Sequence, residues 1–153
     1  MANLTDILIA STSDAAAICA DLRHHERWPC LQLRDLDPLV LADLLEALGE
    51  PDDARALREI PVLHHDENGS WICHLPETLP IRLAALEDEN LSGVAKRWAE
   101  GKELSFYLSF QIRLKQPVDD YIDAIEQALK LLRDFSRRAV SANKPLLLWM
   151  PLK

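Results

Sequence analysis

Glycine is scarce in this chain: 153 residues hold four of them, and neither a GxGxxG nor a P-loop pattern occurs. Loops that cradle phosphate need glycine so that backbone N–H groups can close on the anion, which nearly excludes that chemistry. A GxSxG nucleophile elbow is missing too. Basic charge is also short, with 17 Lys and Arg against 25 Asp and Glu and a net charge of −8. Phosphate neutralisation by basic side chains supplies most non-specific nucleic-acid affinity, so no nucleic-acid partner is expected. No apolar run approaches the ~18–20 residues that span a bilayer, and no membrane partner is expected. Residues 1–20 carry Asp6 and Asp14 with no Lys or Arg, unlike the positive start of a secretory signal, so the expected compartment is the cytoplasm. Three cysteines, an odd number without CxxC spacing, suit a reducing compartment and buried thiols better than a disulfide framework.

What is present is enough for a core. With 48% hydrophobic residues and four Trp, a chain of this length buries roughly two-thirds of its unfolded surface and needs no staple. Neither a repeat nor a linker interrupts it, and the expectation is one globular domain over 1–153, α+β in class and dominated by helices.

The element pattern supports that class. Residues 5–10 lean toward strand, and Ser13 or Asp14 caps an Ala-rich helix to about residue 23. The stretch 24–35 has no helical period, and Pro29 restricts Trp28, so an irregular or extended connection is expected. Asp37, Pro38 and Gly49 punctuate a helix at its cap, first position and end. With apolar residues on most of its circumference, this helix should show mainly Asp43 and Glu46 to water. A short helix follows over 51–59. Then the period changes, and 61–75 reads as a β-hairpin around Asn68-Gly69. A two-residue turn there would set His65 against Ile72 and His64 against Cys73. It would also place Val62, His64, Trp71, Cys73 and Leu75 on one apolar face. Helices are expected to Leu86, capped by Thr78, from Asp88 to about Trp98, and over 118–141. Strict alternation predicts a strand over 104–114, and a short apolar run predicts a terminal strand over 145–150.

Charge is unevenly distributed. Residues 1–76 hold fourteen acids and five arginines, a net of −9, whereas the rest of the chain is close to neutral. Between Asp35 and Glu67 stand ten acids against Arg55 and Arg58. Such a run is ordinarily a solvated face. It can also steer a basic partner and raise its association rate.

The histidines, His24, His25, His64, His65 and His74, with Cys30 and Cys73, are the one cluster to weigh for metal or thiol chemistry. His64 opposite Cys73 could share a zinc ion, which accepts N and S ligands, but completing a tetrahedral set needs His25, His24 or Cys30 from a distant loop at spacings that match no zinc signature. Cys73 and His74 are adjacent, so on a strand they point apart. We therefore expect no catalytic residues, no metal and no cofactor. Arg133, Arg137 and Arg138 on the long helix read as dipole complement and ion-pair partners.

The leading expectation is a non-enzymatic module binding a basic protein partner through Asp35, Asp43, Glu46, Glu50, Asp52, Asp53, Asp66 and Glu67, with Trp28 as a surface aromatic. Small acidic proteins that neutralise a basic toxin or nuclease have this profile, so an immunity or antitoxin-like inhibitor is the concrete version, by analogy of class. The alternatives are a small metal-dependent or thiol enzyme using His64 and Cys73, and a structural or homodimeric subunit joined through a strand edge.

Overall fold

Five strands of the chain form one antiparallel sheet with helices on both faces. The computed structural model describes residues 4–104 and 118–151. The strands are β1 (Leu4–Ile9), β2 (Cys30–Arg34), β3 (Val62–His65), β4 (Trp71–His74) and β5 (Leu146–Met150). Their spatial order is β2-β1-β5-β4-β3. The helices are α1 (Ala15–Ala20), α2 (His24–Arg27), α3 (Pro38–Ala47), α4 (Pro51–Arg58), α5 (Thr78–Ala84), α6 (Asp88–Ala99) and α7 (Val118–Ala142).

Strand alternation sorts the apolar residues into two cores. Ile7, Ile9, Cys73, Leu146 and Leu148 meet α3 to α7 through residues such as Leu44, Leu57, Leu83, Trp98 and Leu129. On the opposite face, Leu8, Ile72 and Leu147 meet Ala15, Ile18 and Cys19, with Trp28 and Trp149 packed at the margin. The run Leu146-Leu147-Leu148 is apolar at consecutive positions because β5, central in the sheet, is buried on both sides. Each fully buried leucine contributes about 1.5–3 kcal/mol relative to exposure. The larger core therefore dominates stability.

Local signals explain most boundaries. The Asp37 carboxylate accepts the Val40 N–H at 2.9 Å and Pro38 opens α3; Gly49 follows with φ +87°, the left-handed conformation that ends helices. The terminal strand and the helices expected over 51–59, from Asp88 and over 118–141 all form.

Four expectations are corrected. The Ala-rich helix is shorter, a 3-10 turn over Thr12–Asp14 running into α1. The connection 24–35 instead holds one helical turn and strand β2; tertiary packing overrides the absent period, since His24 is buried and bonded into the sheet. Thr78 opens α5 without capping it, its hydroxyl donating to Asp53 Oδ2 at 2.5 Å.

The hairpin forms in a different register. His65 pairs with Trp71, His64 with Ile72 and Val62 with Cys73, across a bulge between Val62 and His64. Asp66 C=O accepts the Gly69 N–H at 2.9 Å, and Asp66 N–H donates to Ser70 O at 2.8 Å. Gly69 alone takes the left-handed conformation, at φ +89°, as in a three-residue connection with a glycine bulge. Asn68 uses its amide instead, donating to Cys19 O at 3.0 Å and accepting the Ser70 N–H at 2.9 Å. The turn is thereby stapled to α1, and His64 shares the Ile72 face rather than that of Trp71 and Cys73. Of the strand expected over 104–114, Leu104 is helical and buried; the remainder lies outside the described residues.

Candidate functional site

Most acids of the 35–67 run that lie on helices are used inside the molecule. Asp43, expected at the surface, is only 4% exposed. Its Oδ1 accepts from Arg58 Nη2 at 2.9 Å and its Oδ2 from the Glu103 N–H at 2.8 Å. Arg58 spends its other Nη on Glu46 Oε1 at 2.6 Å, a bond that holds the Glu46 carboxyl below its ordinary range. Gly101 is required here: a Cβ would stand 2.8 Å from Asp43 Oδ2 and 2.9 Å from its Cβ. Glu50 accepts from Arg82 of α5 at 2.8 Å, and Asp53 from Thr78. Asp52 is exposed beside Arg55 at 4.0 Å, too loose to constrain either. Asp35, half-buried, sits at φ +58° after β2.

Asp66 and Glu67 lie elsewhere, in the turn of the hairpin. Glu67 is exposed, while Asp66 accepts from Asn68 N–H at 3.2 Å and stands 3.4 Å from His64 Nε2. The turn sits over Cys19 on α1, whereas the acids of α3 and α4 sit over the larger core. The candidate acids therefore fall into two groups. Trp28 is half-buried against the smaller core.

The arginines of α7 act structurally. Arg133 is buried and donates to Asp88 at 2.5 Å and to Asp134 at 3.1 Å. Arg137 donates to the carbonyls of Ala84 and Leu86 at 3.0 and 2.7 Å, closing the C-terminal end of α5.

Sequence reasoning also missed a buried polar cluster around His24. His24 Nδ1 faces Asp21 O at 3.0 Å and Nε2 faces Asp6 Oδ2 at 2.5 Å. A carbonyl only accepts, so Nδ1 carries a proton, and an imidazolium satisfies both contacts. Burial is the largest single influence and opposes that charge, but the Asp6 bond and charge together with Asp21 outweigh it and the His24 pKa is raised. Gln32 Nε2 donates to Asp6 Oδ1 at 3.0 Å. Trp149 packs its ring 4.7 Å from that of His24. The available signal was an Asp inside the β-leaning run of β1, directly before Ile7, Leu8 and Ile9. The cluster ties α2 to strand β1 of the sheet.

The expected cross-strand pair of His64 and Cys73 does not form. His64 faces Ile72 and not Cys73, His25 is exposed on α2, and among the described residues no group of three or more His, Cys, Asp or Glu could hold a metal ion. Burial raises the Cys73 thiol to about 12; burial and the neighbouring Asp6 carboxylate raise Cys30 to about 12 as well. The thiolate is the nucleophile, and neither site favours it.

Three surface features stand out among the described residues. A cleft of about 250 Å³ separates α5 from the end of α7, lined by His74, Glu77, Ile81, Val140 and Lys144 among others, and one of about 260 Å³ borders Arg34, Trp98 and Tyr121. The third feature is the outer edge of the sheet at β3. There Ile60, Val62 and Leu63 are 38%, 50% and 42% exposed, directly between Glu59 and the turn acids Asp66 and Glu67. Ile60 adopts φ +55°, a strained conformation for a β-branched residue. Among the described residues no helix is long and apolar enough to cross a membrane. Comparison with protein-family models, curated proteins and solved structures gives no match for this chain.

Proposed function

We propose that this protein is a non-enzymatic binding module that occludes a basic partner protein, in the manner of an immunity or antitoxin-like inhibitor. The observation that carries the reading is the exposed apolar stretch Ile60 to Leu63 at the sheet edge, bounded by Glu59 on one side and by Asp66 and Glu67 on the other. Contiguous exposed apolar residues rimmed by charge mark interaction surfaces. The acids speed encounter with a basic partner, and the aliphatic groups, once desolvated, slow its release.

The acids of the helices have a different part. Asp43 is buried, and Glu46, Glu50 and Asp53 are bonded within the chain, so the surface offered to a partner is smaller than the acidic run.

The test is a stopped-flow association measurement with a purified basic protein captured by this chain. Raising salt from about 0.01 to about 0.15 M shortens the screening length from about 30 to about 8 Å, and the association rate should fall at least about tenfold. A rate flat in salt, or a captured partner that is not basic, removes the reading.

A further inference from the structure

We propose that the partner engages as an extended segment bearing Lys or Arg, adding to the sheet as a further strand along the open edge of β3. The inference rests on the reading of a basic protein partner and specifies how its chain is held.

Strand β3 stands last in the sheet order, with β4 on one side. In an antiparallel pair, residues alternate between exchanging both backbone bonds with the neighbour and turning both groups away from it. Asp66 points inward, since its N–H reaches Ser70 O and its C=O accepts from Gly69. His64, two residues earlier and opposite Ile72, is inward by the same alternation. The N–H and C=O groups of His65 therefore face the open edge, next to the bulge at Leu63. Backbone groups left unpaired on an edge strand are the template used in strand addition, where main-chain bonds supply affinity and alternate side chains supply specificity.

The edge is short by construction. Pro61 offers no N–H, and the bulge between Val62 and His64 breaks the ladder; both devices limit unwanted edge pairing. What remains fits a segment of about three or four residues, with Val62 and Leu63 exposed to receive its side chains.

Charge chooses the occupant. A second copy adding antiparallel through the same edge would set Glu59 of each chain near Asp66 and Glu67 of the other, and like charges opposed across strands destabilise pairing. A segment with basic residues flanking one or two apolar ones meets acids at both ends instead. Arg58, the nearest cation in sequence, is already committed to Asp43 and Glu46.

The experiment uses the full chain, isotope-labelled, and three capped hexapeptides: alternating Lys and Val, the same sequence N-methylated at every amide, and alternating Glu and Val. The Lys–Val peptide should shift the amides of residues 62–65 and slow hydrogen exchange at His65. The N-methylated and Glu–Val peptides should each bind at least about tenfold more weakly, a loss of one to two backbone bonds in the first case and of charge complementarity in the second. If the N-methylated peptide binds β3 as tightly as its parent, strand addition is overturned while a basic partner stands. If neither basic peptide perturbs β3, or the Glu–Val peptide binds as well, both fail together.

Discussion

Two acid-bearing regions adjoin in sequence and differ in what they do. On and beside α3 and α4 every carboxylate but that of Asp52 is spent: Asp43 and Glu46 share Arg58, Glu50 holds Arg82, and Asp53 accepts from Thr78. Around β3, Glu59 and Glu67 are exposed beside aliphatic side chains that the fold leaves uncovered. The first region is an adhesive between helices, and the second is a surface. Net charge alone cannot distinguish them, because an acid paired inside and an acid facing water count equally.

The largest effect that would break this division is at Asp43. Its side chain is 3% exposed and bonded to Arg58 and to the Glu103 N–H, so Asp43→Ala strands a guanidinium and a backbone donor. Breaking a buried pair costs about 3–5 kcal/mol; Arg58, 36% exposed, recovers some hydration, and about 2–3 kcal/mol is expected from urea unfolding. A loss below about 0.5 kcal/mol would move Asp43 into the class of surface acids. Gly101→Ala should destabilise by the same route, since its new Cβ meets the Asp43 side chain within 3 Å.

The buried pair of His24 and Asp6 gives a pH signature that the edge acids lack. Desolvation, the largest single influence, disfavours the His24 cation, yet the bond and charge of Asp6 together with Asp21 more than compensate and the folded-state pKa lies above the ordinary 6.5. The folded state then holds more protons between those two values, so stability falls as pH rises through that window. The pair's contribution is fully present below about pH 6.5 and lost above the raised value. Urea midpoints measured from pH 6 to pH 9 should decline, and His24→Gln should abolish most of that slope. A slope unchanged in the variant would mean that the imidazolium is not the linked group. In the same pH range Cys30 and Cys73, raised to about 12, should resist iodoacetamide in the folded protein; rapid modification of Cys73 would revive a thiol mechanism.

Both predictions concern residues whose roles the sequence hid. The helix from Asp37 to Gly49 was legible because its signals are local, a cap, a proline and a terminating glycine. The class, a helix-rich α+β fold, was legible from changes of period. Hairpin register was not: Asn68-Gly69 reads as a two-residue turn until Asn68 is seen bonding Cys19 on α1, a contact 49 residues away in sequence. Asp43 looked solvent-facing because a partner at position 103 is invisible to helical periodicity. The polar cluster at His24 joins residues 6, 24 and 32 by the same kind of long-range closure. Of the candidate surface, the acids and the apolar residues at 60–63 were readable, but their exposure follows from β3 being last in the sheet, which strand patterns alone do not order.

A smaller effect sharpens the surface side of the comparison. Ile60 holds φ +55° and is 38% exposed, so its side chain is strained and only partly packed. Ile60→Gly relieves strain of about 1–2 kcal/mol and gives back some entropy and burial, for a net gain of about 0.5–1 kcal/mol. If Ile60 belongs to the docking edge, the same variant should bind the basic probe peptide more weakly while melting at a higher temperature. Stabilisation with unchanged binding would detach Ile60 from the surface.

The smallest stability change separates the two regions most cleanly. Glu67 is exposed at the turn, so Glu67→Gln should alter stability by no more than about 0.5 kcal/mol. Glu59→Gln, just beyond α4, should be equally quiet. Rim charges act mainly on encounter, so the double variant should lower the association rate of a basic partner several-fold at low salt, leave dissociation nearly unchanged and flatten the salt dependence. Glu46→Gln, whose carboxylate is paired with Arg58, removes the same formal charge as either edge substitution alone and should leave the association rate closer to that of the parent than either of them does. Equal rate losses for Glu46 and for the edge acids would show that the whole acidic field steers the partner and that the edge has no privileged part in encounter.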